Sequence, residues 1–204
     1  YLDEGRKVLF SGVACQIAGL KNFLNKKYNN LITVDVLCHG VPSPMIFEEY
    51  KKRHNGNEIS NIKFRYKKPS WTIFSMKIDY KNGSSYSNTT YKDEYIRAFL
   101  EDYITNEVCC ECKYTGKDRV SDITLADFWG INMFSNKFHC DYGVSLVIIN
   151  SDKGNKVFND IKDTIIIQEA TYEQAKVINK CLYESTPRPN IRNHIYDNID
   201  ENPY

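Results

Sequence analysis

The chain has no charge of one sign to spare. Lys and Arg number 27 against 26 Asp and Glu, a formal net charge of +1 over 204 residues. A balance this close gives no electrostatic reason to expect nucleic acid or an acidic membrane surface as a partner. No apolar run is long enough to cross a bilayer, and no charged-then-apolar leader opens the sequence. A nucleophile elbow, a metalloprotease motif and a histidine–carboxylate pattern for hydrolysis are all missing, as are internal repeats and low-complexity tracts. Tyr1 stands where a methionine would begin a protein, and Tyr1 to Gly5 reads like the tail of a helix. The sequence is therefore expected to be a piece of a longer chain, with length enough for one good core or a core plus a smaller lobe.

What the chain does have is cysteine. Seven are present, an odd number at uneven spacing. With no secretory leader, reduced thiols used as ligands are a stronger reading than a disulfide framework. Cys15 and Cys38 each follow a predicted strand, and Cys109-x-x-Cys112 follows a predicted helix. Four such thiols on one face of an α/β unit are enough to hold a metal or an iron–sulfur cluster. A thioredoxin-like dithiol is disfavoured, because its motif opens a helix directly after a strand. Zinc and iron–sulfur both stay open on spacing. Cys110 could replace one member of the pair, Cys181 reads as a core residue of a predicted helix, and Cys140 has no assigned role.

The hydrophobic pattern places the thiols. Lys7–Gly12 reads as a buried strand, Gln16–Tyr28 as a helix with Ile17, Leu20, Phe23 and Leu24 at helical spacing, and Leu31–Leu37 as a second strand. Strand, helix, strand within about thirty residues is a βαβ unit with a right-handed crossover. Ligands of such units sit beyond the carboxyl ends of the strands, where Cys15 and Cys38 fall. A helix follows Pro44 and runs to about His54. Strands are expected over Ile59–Tyr66, Ile73–Tyr80 and Ser85–Thr90, with Asn82-Gly83 as a hairpin turn. Further elements are a helix over Lys92–Ile104, a strand over Ser145–Asn150, a helix over Lys153–Ile161, a strand over Ile165–Gln168 and a helix over Tyr172–Leu182. The fold class is thus mixed α/β: a parallel βαβ unit, an antiparallel hairpin region, then further α/β elements. Residues 1–186 form the domain and 187–204 an irregular tail.

Two other runs stand out. Ser11 to Gln16 reads as a small-residue turn at a helix N-terminus, which offers backbone N–H groups to an anion, though it is neither a dinucleotide-binding fingerprint nor a P-loop. Asp122 and Asp127 flank a short apolar strand that leads into Phe128-Trp129-Gly130, and either could bind a cofactor hydroxyl or cap a turn. His39 beside Cys38 is a candidate hydrogen-bond partner or proton carrier. His54, His139 and His194 share no ligand spacing.

In order along the chain, these runs are distinctive. Phe10 to Lys21, Val34 to Pro44, Phe64-Arg65 with Lys67 and Trp71, Cys109-x-x-Cys112, Arg119 to Thr124 and Asp127-Phe128-Trp129-Gly130 together resemble the signatures of the coenzyme F-420 hydrogenase/dehydrogenase beta-subunit family, C-terminal domain, in its bacterial D-F-W-G branch. The resemblance runs from about Lys7 to Asn150. It implies a cytoplasmic, flavin- and iron–sulfur-dependent oxidoreductase that relays electrons between a 4Fe–4S cluster and FAD. Cys15, Cys38, Cys109 and Cys112 would be the cluster ligands. Ser11, Gly12, Gln16, His39, Gly40, Asp122, Asp127, Trp129 and Gly130 would lie at the flavin. The family's N-terminal ferredoxin-like segment is missing from this sequence, and a redox partner protein or that segment is the implied electron partner, with an unidentified small-molecule substrate. The reading of another class is a zinc-stabilised structural or interaction domain.

Overall fold

The computed structural model describes residues 1–54, 58–138 and 141–197. His139 and Cys140, on which two of the readings above fall, lie outside them. In chain order the elements are β1 (Val8–Val13), α1 (Ala14–Leu24), β2 (Leu31–Val36), α2 (Pro44–Lys52), β3 (Ile59–Tyr66), β4 (Ser75–Tyr80) and β5 (Ser85–Thr89). There follow α3 (Glu94–Leu100), α4 (Glu107–Cys110), β6 (Ile123–Asp127), β7 (Ser145–Ile149), α5 (Asp152–Ile161), α6 (Tyr172–Lys176) and α7 (Ile191–Asp197). The mixed α/β class is as expected. The chain divides into two compact units.

The first unit comprises Tyr1–His39, Cys112–His139 and Val144–Ser185. Its sheet has the order β1-β2-β6-β7, with β1, β2 and β6 parallel and β7 antiparallel. The βαβ unit is present as expected, with α1 as the crossover. Ile17 of α1 is fully buried, but Phe23 is 86% exposed and takes no part in the packing. Central strand β2 alternates, burying Leu31, Thr33 and Asp35 on one face. An apolar cluster of Phe128, Ile131, Leu146, Ala175 and Leu182 completes this unit's core. On α5, a Cβ added to Gly154 would stand 2.2 Å from the carbonyl oxygen of Asp122. Only glycine lets this helix lie so close to the start of β6.

The second unit comprises Gly40–Glu111, Cys140–Gly143 and Thr186–Tyr204. It holds the antiparallel sheet β3-β4-β5 over a core of Ile46, Tyr50, Phe74, Met76, Ile78, Tyr80, Tyr95, Ile96 and Ile104. Its buried hub is Asp93. One carboxylate oxygen caps α3 by accepting from the Ile96 N–H at 2.8 Å, and the other accepts from the hydroxyls of Tyr50 at 2.7 Å and Tyr86 at 3.0 Å. The β4–β5 hairpin closes through a Tyr80–Ser84 backbone bond of 3.0 Å. Its loop is Lys81-Asn82-Gly83, and of these only Gly83 has a positive φ. That is a three-residue loop ending in a left-handed glycine, not a two-residue Asn-Gly turn.

Four sequence expectations give way. Ile165–Gln168 joins no strand, and Ile166 is 89% exposed, because apolar β-branched residues alone do not make a strand without a ladder partner. The helix expected over Tyr172–Leu182 stops at Lys176, where the Asn179 side chain donates to the Ala175 carbonyl at 2.8 Å, and resumes only as a 3-10 turn over Lys180–Leu182. The helix expected over Lys92–Ile104 shortens to Glu94–Leu100, and Asp102 just beyond it has a positive φ of 65°. The supposedly irregular tail contains α7, whose Arg192 is buried and donates to the Thr105 carbonyl at 2.8 Å.

Gly154→Ala is expected to lower unfolding stability by about 1–3 kcal/mol through overpacking, although alanine is the better helix former. Urea denaturation measures it, and an unchanged midpoint would show that α5 does not press on β6.

Candidate functional site

The site is built on the carboxyl ends of three parallel strands. Val13 of β1 pairs in register with Val36 of β2, and Val36 with Leu125 of β6. Counting two residues beyond this row reaches Cys15, Cys38 and Asp127 respectively. The carboxyl edge of one sheet is therefore followed by Cys15 in the first turn of α1 and by Cys38, with Asp127 the last residue of β6. Sheets of this kind bind ligands at that rim.

Cys15 is delivered by a junction that differs from the expected small-residue turn. β1 runs to Val13 and α1 starts at Ala14, with no loop residue between. The Gln16 side chain folds back so that its Oε1 accepts the Val13 N–H at 3.0 Å. A Cβ on Gly12 would meet that Oε1 at 2.7 Å, so Gly12 makes room for the Gln16 cap. Gln16 and Gly12 thus shape the strand-to-helix junction, while Ser11 and Cys15 are exposed beside it. Cys15 occupies the first turn of an eleven-residue helix.

Cys38 and His39 follow β2 and are both half-buried. The ladder to β6 persists to Leu37, whose N–H donates to the Leu125 carbonyl at 2.8 Å, so Cys38 emerges directly from the sheet edge. Nδ1 of His39 lies 3.9 Å from Sγ of Cys181. Cys181 was expected in the core. It is half-buried in the 3-10 turn, and its neighbour Leu182 is the fully buried residue.

At the end of β6, Phe128 is a core plug at 4% exposure, and Asp127 and Trp129 are half-buried. Gly130 has φ +81°, and a Cβ there would stand 2.7 Å from Ile178 Cδ1. Asp122 is not at this rim. It is 5% exposed at the other end of β6, and its carboxylate accepts from the Thr33 N–H and hydroxyl at 2.8 Å each and from the Ser151 hydroxyl at 2.7 Å. Burial alone would raise its pKa. The hydrogen bonds from Ser151 and Thr33 and the Lys153 ammonium at 3.5 Å outweigh that and hold it below the usual carboxylate value.

In the second unit, the chain after His39 runs beside the chain that leads into α4. Pro42 bridges to Thr105, and the Asn106 N–H donates to the Val41 carbonyl at 2.8 Å. Gly40 has φ +126°, and a Cβ there would meet Thr105 Cγ2 at 2.6 Å and Cys109 Cβ at 3.5 Å, so its glycine serves this close packing. Of the cysteine pair, Cys109 is helical and Cys112 follows in irregular backbone. Cys109 and Cys110 lie in α4, a single turn whose N–H of Val108 is accepted by the Asn106 side chain at 3.3 Å. Cys110 Sγ faces the Pro187 carbonyl at 3.6 Å, and burial pushes its thiol pKa up. The Thr105 hydroxyl is buried with no hydrogen-bond partner. Cys109 belongs to the second unit and Cys112 to the first. Among the described residues, no group of three or more His, Cys, Asp and Glu side chains is gathered for a single metal ion.

The site reading from sequence missed the support under the rim. Arg119 and Asp35, at 3% and 0% side-chain exposure, form an ion pair of 2.5 Å. The Ser121 hydroxyl donates to Asp35 at 2.8 Å, and Arg119 donates to the Thr124 hydroxyl at 3.2 Å and the Tyr114 carbonyl at 2.9 Å. Asn150 adds a bond to Thr124 of 2.9 Å. The network ties the segment after Cys112 to β2. An aspartate inside the apolar run Leu31-Ile32-Thr33-Val34-Asp35-Val36 was the available signal, because a charge there needs a buried partner.

Fold and rim together define an α/β domain that presents thiols at the carboxyl end of a parallel sheet. The sequence profile of one family, the C terminus of the coenzyme F420 hydrogenase/dehydrogenase beta subunit, matches residues 5–175. The chain belongs to that family, a family of oxidoreductases. Among curated proteins no sequence matches it. A solved structure of the F420-reducing [NiFe] hydrogenase complex from Methanosarcina barkeri, described as a xenon derivative, contains a chain similar to it at 16% identity and a TM-score of 0.47. The match covers 86% of this chain and 56% of that one, so the chain spans little more than half the length of that neighbour.

Replacing Arg119 by Met strands a buried carboxylate and is expected to cost about 3–5 kcal/mol. The double change of Asp35→Leu with Arg119→Met should recover much of it. Urea denaturation of the two variants checks this, and a loss below about 1 kcal/mol for the single variant would show that the pair is not desolvated. Asp122 gives a pH prediction. Its folded-state pKa is depressed, so its contribution is present above the unfolded value of 3.8 and is lost as pH falls through the lower folded value. Asp122→Asn should flatten the fall in thermal midpoint below about pH 4, and a wild-type acid limb in that variant would show that the carboxylate is not the group titrating.

Proposed function

We propose that this chain is the electron-relay part of an iron–sulfur flavoprotein oxidoreductase. In this reading the thiolates of Cys15, Cys38, Cys109 and Cys112 hold one 4Fe–4S cluster. FAD lies against the same rim, beside Ser11, His39, Asp127, Trp129 and Gly130. The observation that carries the reading is that Cys15 and Cys38 follow the carboxyl ends of two adjacent parallel strands, β1 and β2. Membership of an oxidoreductase family favours redox use of these thiols over a structural zinc site.

The residues present suit such a group. All four donors are sulfur, the ligation iron–sulfur clusters favour. None of the four is fully buried, so a cluster can reach them. The N-terminus of α1 places positive dipole beside Cys15, which suits an anionic thiolate. The unpartnered Thr105 hydroxyl near Gly40 and Cys109 is a donor available to a cluster sulfur. His39 can hold or pass a proton at the rim. Gly12 and Gln16 shape the strand-to-helix junction that carries Cys15, and Asp122 lies buried at the opposite end of β6. When bound, the cluster supplies one-electron transfer and the flavin converts it to two-electron chemistry. The direction of flow is set by a redox partner protein and a small-molecule substrate. Among the described residues no helix is long and apolar enough to cross a membrane.

Protein purified without oxygen is expected to contain about four iron and four sulfide per chain, with broad visible absorption. Cys112→Ser should lose both, and Cys181→Ser should keep them. One zinc per chain without iron would overturn the redox reading in favour of a zinc-stabilised domain, and full iron in Cys112→Ser would overturn the ligand set.

A further inference from the structure

The second unit contains a cavity that the thiol rim does not use. It has a volume of about 380 Å³, within the range of about 300–1,000 Å³ typical of small-molecule sites. Its floor is the buried core residues Ile46 and Tyr50 of α2, Tyr95 of α3, and Ile104. Ala98 of α3 and Ile195 of α7 form walls. The Tyr50 hydroxyl is turned away to Asp93, so it adds no polarity to the lining. Burial pushes the Tyr95 phenol pKa up to about 12, in keeping with an apolar surround. Water in such a space finds few partners, so an apolar body displaces it favourably.

The mouth is different. Arg53, Glu94, Arg97 and His194 stand at it. Glu94 is held by Arg53 at 2.5 Å, so its charge is compensated. The exposed guanidinium of Arg97 lines the cavity beside that balanced pair, with His194 on the same lining, while Glu101 is bonded to the lining Tyr103 hydroxyl. An apolar cavity with the Arg97 guanidinium on its lining is complementary to a molecule with an apolar body and one acidic head. We propose that this cavity binds a small amphipathic anion, such as a medium-chain aliphatic or aromatic carboxylate, with its body between α2, α3 and α7 and its head at Arg97.

The test uses the whole protein with octanoate as ligand, octanol as its uncharged counterpart, and displacement of anilinonaphthalene sulfonate as the readout. Octanoate should bind and displace the dye. Ala98→Phe fills the cavity and should abolish displacement while circular dichroism and the thermal midpoint stay unchanged. Ile195→Trp, on a different helix, serves the same purpose where Ala98→Phe fails to fold. Arg97→Glu should weaken octanoate roughly tenfold, the scale of one charge-assisted hydrogen bond, and leave octanol within about twofold. Failure of octanoate to bind the wild-type protein overturns the proposal, as does undiminished binding in a folded, cavity-filled variant. Equal loss of octanoate and octanol in Arg97→Glu overturns the assignment of an anionic head. None of these outcomes depends on cluster or flavin content, so the proposed redox function stands or falls separately.

Discussion

The buried pair of Asp35 and Arg119 is the constraint on which the first unit depends. Asp35 lies on the core face of the central strand, where an ionised carboxylate alone would cost several kcal/mol of desolvation. Arg119 answers it, and Ser121, Thr124, Asn150 and the Tyr114 carbonyl satisfy the remaining donors and acceptors. A pair of this kind adds little net stability over well-packed apolar residues. A misplaced 112–121 segment would leave two buried charges unpaired, so the pair disfavours such alternatives. Cys112 sits at the start of that segment, so the network that fixes the segment also fixes where that thiol leaves the core.

The rim follows from parallel pairing. In a parallel sheet the chain leaves every strand at the same edge, so residues at equal distance beyond a register row are neighbours without further design. Cys38 and Asp127 leave β2 and β6 at this edge, and Cys15 follows β1 as the second residue of α1. Two residues read as cofactor contacts shape the junction at that edge, and a third lies at the opposite end of β6. Gln16 caps the junction above Cys15, Gly12 leaves it room, and Asp122 fastens β2 and the start of α5 to the foot of β6.

The second unit is organised around another carboxylate. Asp93 caps a helix with one oxygen and gathers two tyrosine hydroxyls with the other, so the aromatic core is held by directed bonds as well as packing. Turning the Tyr50 hydroxyl toward Asp93 leaves its ring to line an apolar cavity. The two carboxylates serve their units alike. Each is fully buried, and each orients the side chains around it.

Much of the fold was legible in the residues. The βαβ unit showed itself because Val8 to Phe10 and Leu31 to Val36 are apolar runs of strand length around a helical period, and β3 was readable to its end residues. The elements that failed did so where a partner decided the outcome. Ile165 to Gln168 has strand composition and no strand beside it, while Ile191 to Asp197 has little periodicity and is held as a helix by Arg192 reaching the Thr105 carbonyl. The sequence by itself determined the local elements, the supply of thiols and the family, since these depend on residue type and spacing along the chain. Only the tertiary structure decided that Cys15, Cys38 and Asp127 share one rim, that Asp122 is consumed in the core and that Arg119 belongs to Asp35. Those are pairings between residues far apart in sequence, chosen by register and by the cost of leaving a buried charge alone.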